Sequence, residues 1–139
     1  MNNRAFTLIE LLVSIAIIGI LASIVIGGVG IVRKKGRDAR RIQDVKELQK
    51  ALSQYVFTNG TFPIATASTS LTGADSVSTA LVGSQVMPVM SKDPLYPNPL
   101  QSYYTYQSNA TGNEFWISFC METDSLPPYT TGCNNIVSP

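Results

Sequence analysis

The sequence predicts an α+β fold in which one long N-terminal helix packs on a small C-terminal antiparallel sheet. Three observations predict it. Residues 11–32 form an apolar run without a charged side chain, residues 39–56 carry apolar side chains at intervals of three and four, and two aromatic, β-branched runs lie at 102–107 and 114–121. The first run is long enough to cross a hydrocarbon core of about 30 Å at ~1.5 Å per residue. The second has the period of a helix with one apolar stripe, and the third has strand alternation.

In chain order, Met1-Asn2-Asn3-Arg4-Ala5 is too short for structure and reads as a removable leader. The membrane-spanning helix then runs over 6–32. Glu10 lies one turn inside it, where an ionised, unpaired carboxylate costs on the order of 3 kcal/mol in lipid. Arg4 is its nearest cation in the chain; cleavage before Phe6 would create an α-ammonium that serves better, above all from a second copy shifted along a bundle. A secretory signal peptide has an apolar core of roughly 7–15 residues and an A-x-A-like site, which this stretch does not match. An ordinary single-span anchor explains the run but not Glu10. Gly19, Ser23 and Gly27 recur every four residues, a small-residue stripe that lets helix backbones approach closely in lipid. Gly27, Gly28 and Gly30 mark a bend or melting point, because glycine weakens a helix by about 1 kcal/mol relative to alanine.

Phe6-Thr7-Leu8-Ile9-Glu10-Leu11-Leu12-Val13 behind a short basic leader resembles the class III signal of type IV pilins and type II secretion pseudopilins. The resemblance is specific over residues 1–62 and loose beyond. It implies cleavage between Ala5 and Phe6 by a prepilin peptidase, N-methylation of Phe6, and Glu10 registering each subunit against the next. Where the family has glycine before the cut, this chain has Ala5. Asn59-Gly60-Thr61-Phe62-Pro63 and the passage from Pro88 to Asp93-Pro94 also resemble family segments.

The net charge of +1 by itself indicates neither an acidic nor a basic partner. Its distribution says more, since Arg33, Lys34, Lys35, Arg37, Arg40 and Arg41 follow the span directly. Taken alone, this cluster places the C-terminal part in the cytoplasm by the positive-inside rule. Against that stand two cysteines near the C-terminus, Cys120 and Cys133, spaced as a disulfide of an oxidising compartment, a head rich in Ser, Thr, Asn, Gly and Pro, and the outward head that the resemblance implies. The cluster reads chiefly as an anchor to membrane phosphates and an inter-subunit pairing surface, and secondarily as a nucleic-acid contact, though no aromatics interleave to stack bases. The absence of histidine removes the commonest general base and metal ligand. No catalytic residue, cofactor or metal ligand is expected, and the acidic calcium-binding loop of major secretion pseudopilins is missing.

Beyond the span, the helix continues amphipathically over 33–58, with Ala39, Ile42, Val45, Leu48, Leu52, Tyr55 and Val56 on one stripe. Asp38 with Arg41, Arg40 with Asp44 and Glu47 with Lys50 form offset charge pairs on the opposite faces. The head occupies 59–139. Gly60 and Pro63 end the helix; 64–73 reads as a loop, Asp75 to about residue 82 as a short helix with Leu81 and Val82 inward, and 87–95 as an extended connector in which Asp93 caps a turn. In the second strand Phe115, Ile117, Phe119 and Met121 share the face turned to the helix, while Trp116, Ser118 and Cys120 share the other. A third strand is expected at 134–137. A Cys120–Cys133 bond would close a loop worth about 3 kcal/mol in the chain-entropy model.

The expected function is that of a structural subunit of a type IV pilus or pilus-like filament, a helical homo-oligomer assembled through Phe6, Glu10, Gly19, Ser23 and Gly27. Its partners would be prepilin peptidase, an inner-membrane assembly platform and membrane lipid before assembly. It would be a single-pass protein of the cytoplasmic membrane and then an extracellular or periplasmic filament. The alternatives are a pseudopilin of a secretion or DNA-uptake system and a membrane-anchored binding domain that never polymerises.

Overall fold

The computed structural model describes residues 7–97 and 104–139, and the side chains of 25–27 are not among those described. Its elements are α1 (Leu8–Asn59), β1 (Thr69–Ser70), α2 (Ser76–Gly83), β2 (Thr105–Ser108), β3 (Phe115–Met121) and β4 (Gly132–Val137). The chain forms two units, Met1–Lys34 and Lys35–Pro139.

The described part of the first unit is helical, and Gly27, Gly28 and Gly30 lie within α1. Its apolar side chains are exposed, from Leu8 at 82 % to Ile24 at 69 % and Val32 at 69 %. An 18-residue window reaches a mean hydropathy of 2.7, so the helix is long and apolar enough to cross a membrane.

In the second unit, strands β1 to β4 form one antiparallel sheet in sequence order. The stripe Val45, Leu48, Ala51 and Leu52 of α1 is buried in one core with Tyr106, Phe115, Ile117, Phe119 and Met121 of the sheet and Val77 and Leu81 of α2. This joins the 3.6-residue repeat of the helix to the two-residue repeat of β3, whose alternate side chains are buried as expected. Phe62 meets Phe115 edge-on at 4.7 Å between ring centroids. Val82 is half-buried against the same core.

Several expectations change. Ala39 is exposed, because the buried stripe begins with Asp38 and Arg41 instead. The segment 64–73 contains β1, whose Thr69 and Ser70 oppose Tyr106 and Thr105. Two polar residues cannot announce a strand by alternation, and it is the free edge of β2 that recruits them. The short helix begins after Asp75, whose Oδ1 accepts the Ser78 amide at 2.8 Å. The last strand starts at Gly132, two residues earlier than expected, and its register with β3 is irregular between Phe119 and Met121. Residues 102 and 103 of the first expected strand lie outside the described residues.

Gly112 in the β2–β3 turn has φ +67°, and a Cβ there would sit 2.9 Å from the Phe62 carbonyl oxygen. The Phe62 amide donates to the Gly112 carbonyl at 2.8 Å. The hairpin tip therefore rests directly on the chain leaving α1, and only glycine permits that approach.

Candidate assembly segment and the ionic hub of the head

Leu8 opens α1, which makes Thr7 its N-cap and Glu10 its third helical residue. Glu10 Oε2 accepts from the Thr7 amide and from Thr7 Oγ1, both at 2.8 Å, and the Glu10 amide approaches Thr7 Oγ1 at 3.4 Å. This reciprocal pattern is a capping box, and Thr7-x-x-Glu10 is its sequence signature. The carboxylate expected to register subunits thus has two donors in its own chain, a feature legible in the motif but absent from a reading of Glu10 as unpaired. Its position at the helix N-terminus also places negative charge where the backbone dipole favours it.

Of the other expected assembly residues, Ser23 donates to the Ile20 carbonyl at 2.7 Å and so satisfies its hydroxyl within the helix. Nothing lies within 4 Å of a Cβ built on Gly19. Gly27 is helical, its surroundings being outside the described set. Arg4, Ala5 and Phe6, and with them the cleavage point and the α-ammonium, lie outside the described residues.

The head holds a second cluster that the sequence only partly announced. Arg41 is fully buried, and its Nε and Nη2 donate to Asp93 Oδ2 and Oδ1 at 2.6 and 3.1 Å. Its Nη1 donates to Asp38 Oδ1 at 2.8 Å and Glu122 Oε1 at 2.9 Å. Arg37 forks onto Glu122 through Nε and Nη2 at 2.7 and 2.6 Å. Asp38 further accepts the Glu122 amide at 2.9 Å and Thr123 Oγ1 at 2.8 Å, and Asp93 accepts the Leu95 amide at 2.8 Å. Among the described residues no buried side-chain polar atom lacks a partner. Asp93 thus caps its turn as expected and also carries a load the sequence did not show.

Electrostatics follow from this geometry. The fork from Arg37 holds the Glu122 carboxyl down to about 2, against its partial burial and with help from Arg41. Burial disfavours the Arg41 charge, but its bonds to Asp93, Glu122 and Asp38 outweigh that and raise its pKa. Beside the hub, Tyr104 donates to Asp44 Oδ2 at 2.7 Å; burial pushes the Asp44 carboxyl up and the Tyr104 hydroxyl up as well.

The expected Asp38–Arg41 pair therefore exists, but in the core and not on a solvent face. Arg37 and Arg41 are committed to carboxylates of the head, which removes them from the cluster expected to meet lipid phosphate or nucleic acid. The i,i+3 spacing made the first pair visible. Asp93 and Glu122 were hidden because they lie 52 and 81 residues from Arg41.

Cys120 and Cys133 are joined in a disulfide between β3 and β4, at the register irregularity.

A family model described as the prokaryotic N-terminal methylation motif matches residues 1–31. The chain carries an N-terminal methylation motif on a pilin-like fold. Two curated relatives share part of this pilin-like chain. The type II secretion system core protein G of Pectobacterium carotovorum subsp. carotovorum is 35 % identical over 62 residues, 45 % of this chain and 40 % of the relative. That of Escherichia coli strain K12 is 37 % identical over 62 residues, 45 % of this chain and 43 % of the relative. The pilin-like chain thus spans less than half the length of the curated relatives it matches. No solved structure gives a significant match.

Proposed function

We propose that this chain is the structural subunit of a type IV pilus or pilus-like filament. The observation that carries the proposal is an exposed apolar helix beginning with a methylation motif and a capped acidic residue, Glu10. In this reading a prepilin peptidase cuts between Ala5 and Phe6, and Phe6 is N-methylated. Residues 6–32 hold the subunit in the cytoplasmic membrane until an assembly platform extracts it. Lipid tails are as apolar as a neighbouring helix, so burying Leu and Ile against a sister subunit gains little by itself. Direction and register need a polar determinant, and Glu10 facing a neighbour's Phe6 ammonium supplies it, with Gly19, Ser23 and Gly27 allowing close approach. The hub locks the sheet to the second half of the helix, so that the head travels as one rigid display unit. Its role is structural and involves no chemistry of its own.

The test is to replace Glu10 with alanine in cells and collect the fraction released by shearing. Loss of the protein from that fraction, with normal amounts left in the membrane, is expected. Normal fibres from the variant sink the proposal. A second reading, a pseudopilin of a secretion system, is favoured by the likeness to the two type II secretion relatives. A strain lacking the chain separates the two: loss of surface fibres supports the pilus, and retention of exported proteins in the periplasm supports the pseudopilus.

A further inference from the structure

Two Asn-x-Thr triplets, at Asn59 and Asn109, lie outside the segment 6–32 proposed for assembly. The structure treats them differently. Asn59 ends α1, and its Nδ2 donates to the Tyr55 carbonyl at 3.0 Å. The atom that would receive a sugar is thus engaged in closing the helix. Asn109 opens the β2–β3 turn, and its Oδ1 accepts the amides of Asn113 and Glu114 at 2.9 and 3.3 Å. Among the described residues its Nδ2 has no hydrogen bond. A glycosylated asparagine keeps its carbonyl oxygen, so both bonds that hold the turn survive modification. Ala110 and Thr111, which complete the triplet, are exposed.

An independent observation lies on the same face. Gln107 opposes Trp116, and the Asn109 amide donates to the Glu114 carbonyl at 3.2 Å, two pairs further along the ladder, beyond Ser108 and Phe115. By strand alternation Gln107, Asn109, Glu114 and Trp116 therefore share the outer face of the sheet. Trp116 is 38 % exposed and borders a recess of about 390 Å³ together with Asn113, Glu114 and Ser138. A recess of that size falls within the range of small-molecule clefts. An indole plate rimmed by carboxylate, amide and hydroxyl groups suits a pyranose, whose C–H face packs on the ring while its hydroxyls bond the rim.

We propose that Asn109 is an N-glycan acceptor whose first hexose or N-acetylhexosamine lies over Trp116. The transfer requires an activated glycosyl phosphate donor and a transferase. Asn109 Nδ2 bonds to the anomeric carbon, the carbon–oxygen bond to phosphate breaks, the phosphate leaves with the electron pair, and the Nδ2 proton passes to a base of the transferase. The inference rests on the outward head of the proposed function.

Peptide-mapping mass spectrometry of the full chain isolated from membranes of its own cells tests this, reading Cys120 and Cys133 in the same digest. The expected result is a hexose or N-acetylhexosamine increment on the Asn109 peptide and none on the Asn59 peptide. The increment should be lost in Thr111→Ala and kept in Thr111→Ser. Enzymatic release of the glycan should then shift the emission of the only tryptophan to longer wavelength; unchanged emission overturns the seating on Trp116. A bare Asn109 with an intact disulfide overturns the inference and leaves the filament reading standing. A bare Asn109 with reduced cysteines overturns both, and an increment on Asn59 alone overturns the distinction between the two triplets.

Discussion

Replacing Arg41 with methionine keeps most of the aliphatic stem and removes the guanidinium that three carboxylates share. Asp38 and Asp93 have side-chain exposures of 0 % and 3 %, so neither can turn to water for compensation. Removing one partner of a buried ion pair typically costs about 3–5 kcal/mol, since the charge left behind stays desolvated. Against a total stability of about 5–15 kcal/mol for a small domain, that is a large share. At ~4–8 °C per kcal/mol for a domain of this size, the midpoint should fall by about 12–40 °C. The assay is thermal unfolding of the full chain in detergent micelles, followed by near-ultraviolet circular dichroism of Tyr104, Tyr106 and Trp116. Adding Asp93→Asn to the variant should recover part of the loss, because one uncompensated charge is gone. Arg37→Ala should cost about 1 kcal/mol or less, since its side chain is 28 % exposed and water can solvate what remains. If Arg41→Met melted within about 4 °C of the parent, the hub would not be holding the head on the helix.

Gly112→Ala should destabilise the head by about 1–3 kcal/mol through a strained positive φ and the 2.9 Å approach to Phe62, measured as a drop in melting temperature. Glu122 titrates below its ordinary 4.5, near 2, so the unfolded state takes up protons first as pH falls. Its stabilisation is complete above about pH 4.5 and lost toward about pH 2, so melting curves of the parent should fall with acid more steeply than those of Glu122→Gln. Replacing Cys120 and Cys133 by serine should cost about 3 kcal/mol in the chain-entropy model, with treatment by a thiol reductant lowering the parent's melting temperature and leaving the variant unchanged.

What the amino-acid sequence determined by itself was whatever is local or periodic. Residues 11–32 declare a membrane-length helix because charge is absent along a continuous stretch, and the stripe through Val45, Leu48 and Leu52 declares its buried face because 3.6-residue spacing repeats. Thr7 and Glu10, three residues apart, hold a capping box within one turn of chain. Alternation in 115–121 likewise identified the face that enters the core. Tertiary structure decided what depends on residues brought together from afar. Asp93 and Glu122 carry no signal of Arg41 in their neighbours, and β1 is too short to have a period. Arg37 and Arg41 therefore looked like members of a surface charge cluster. Burial reverses their meaning: in the dry interface a guanidinium must find carboxylates, and the fold delivers them from three separate segments.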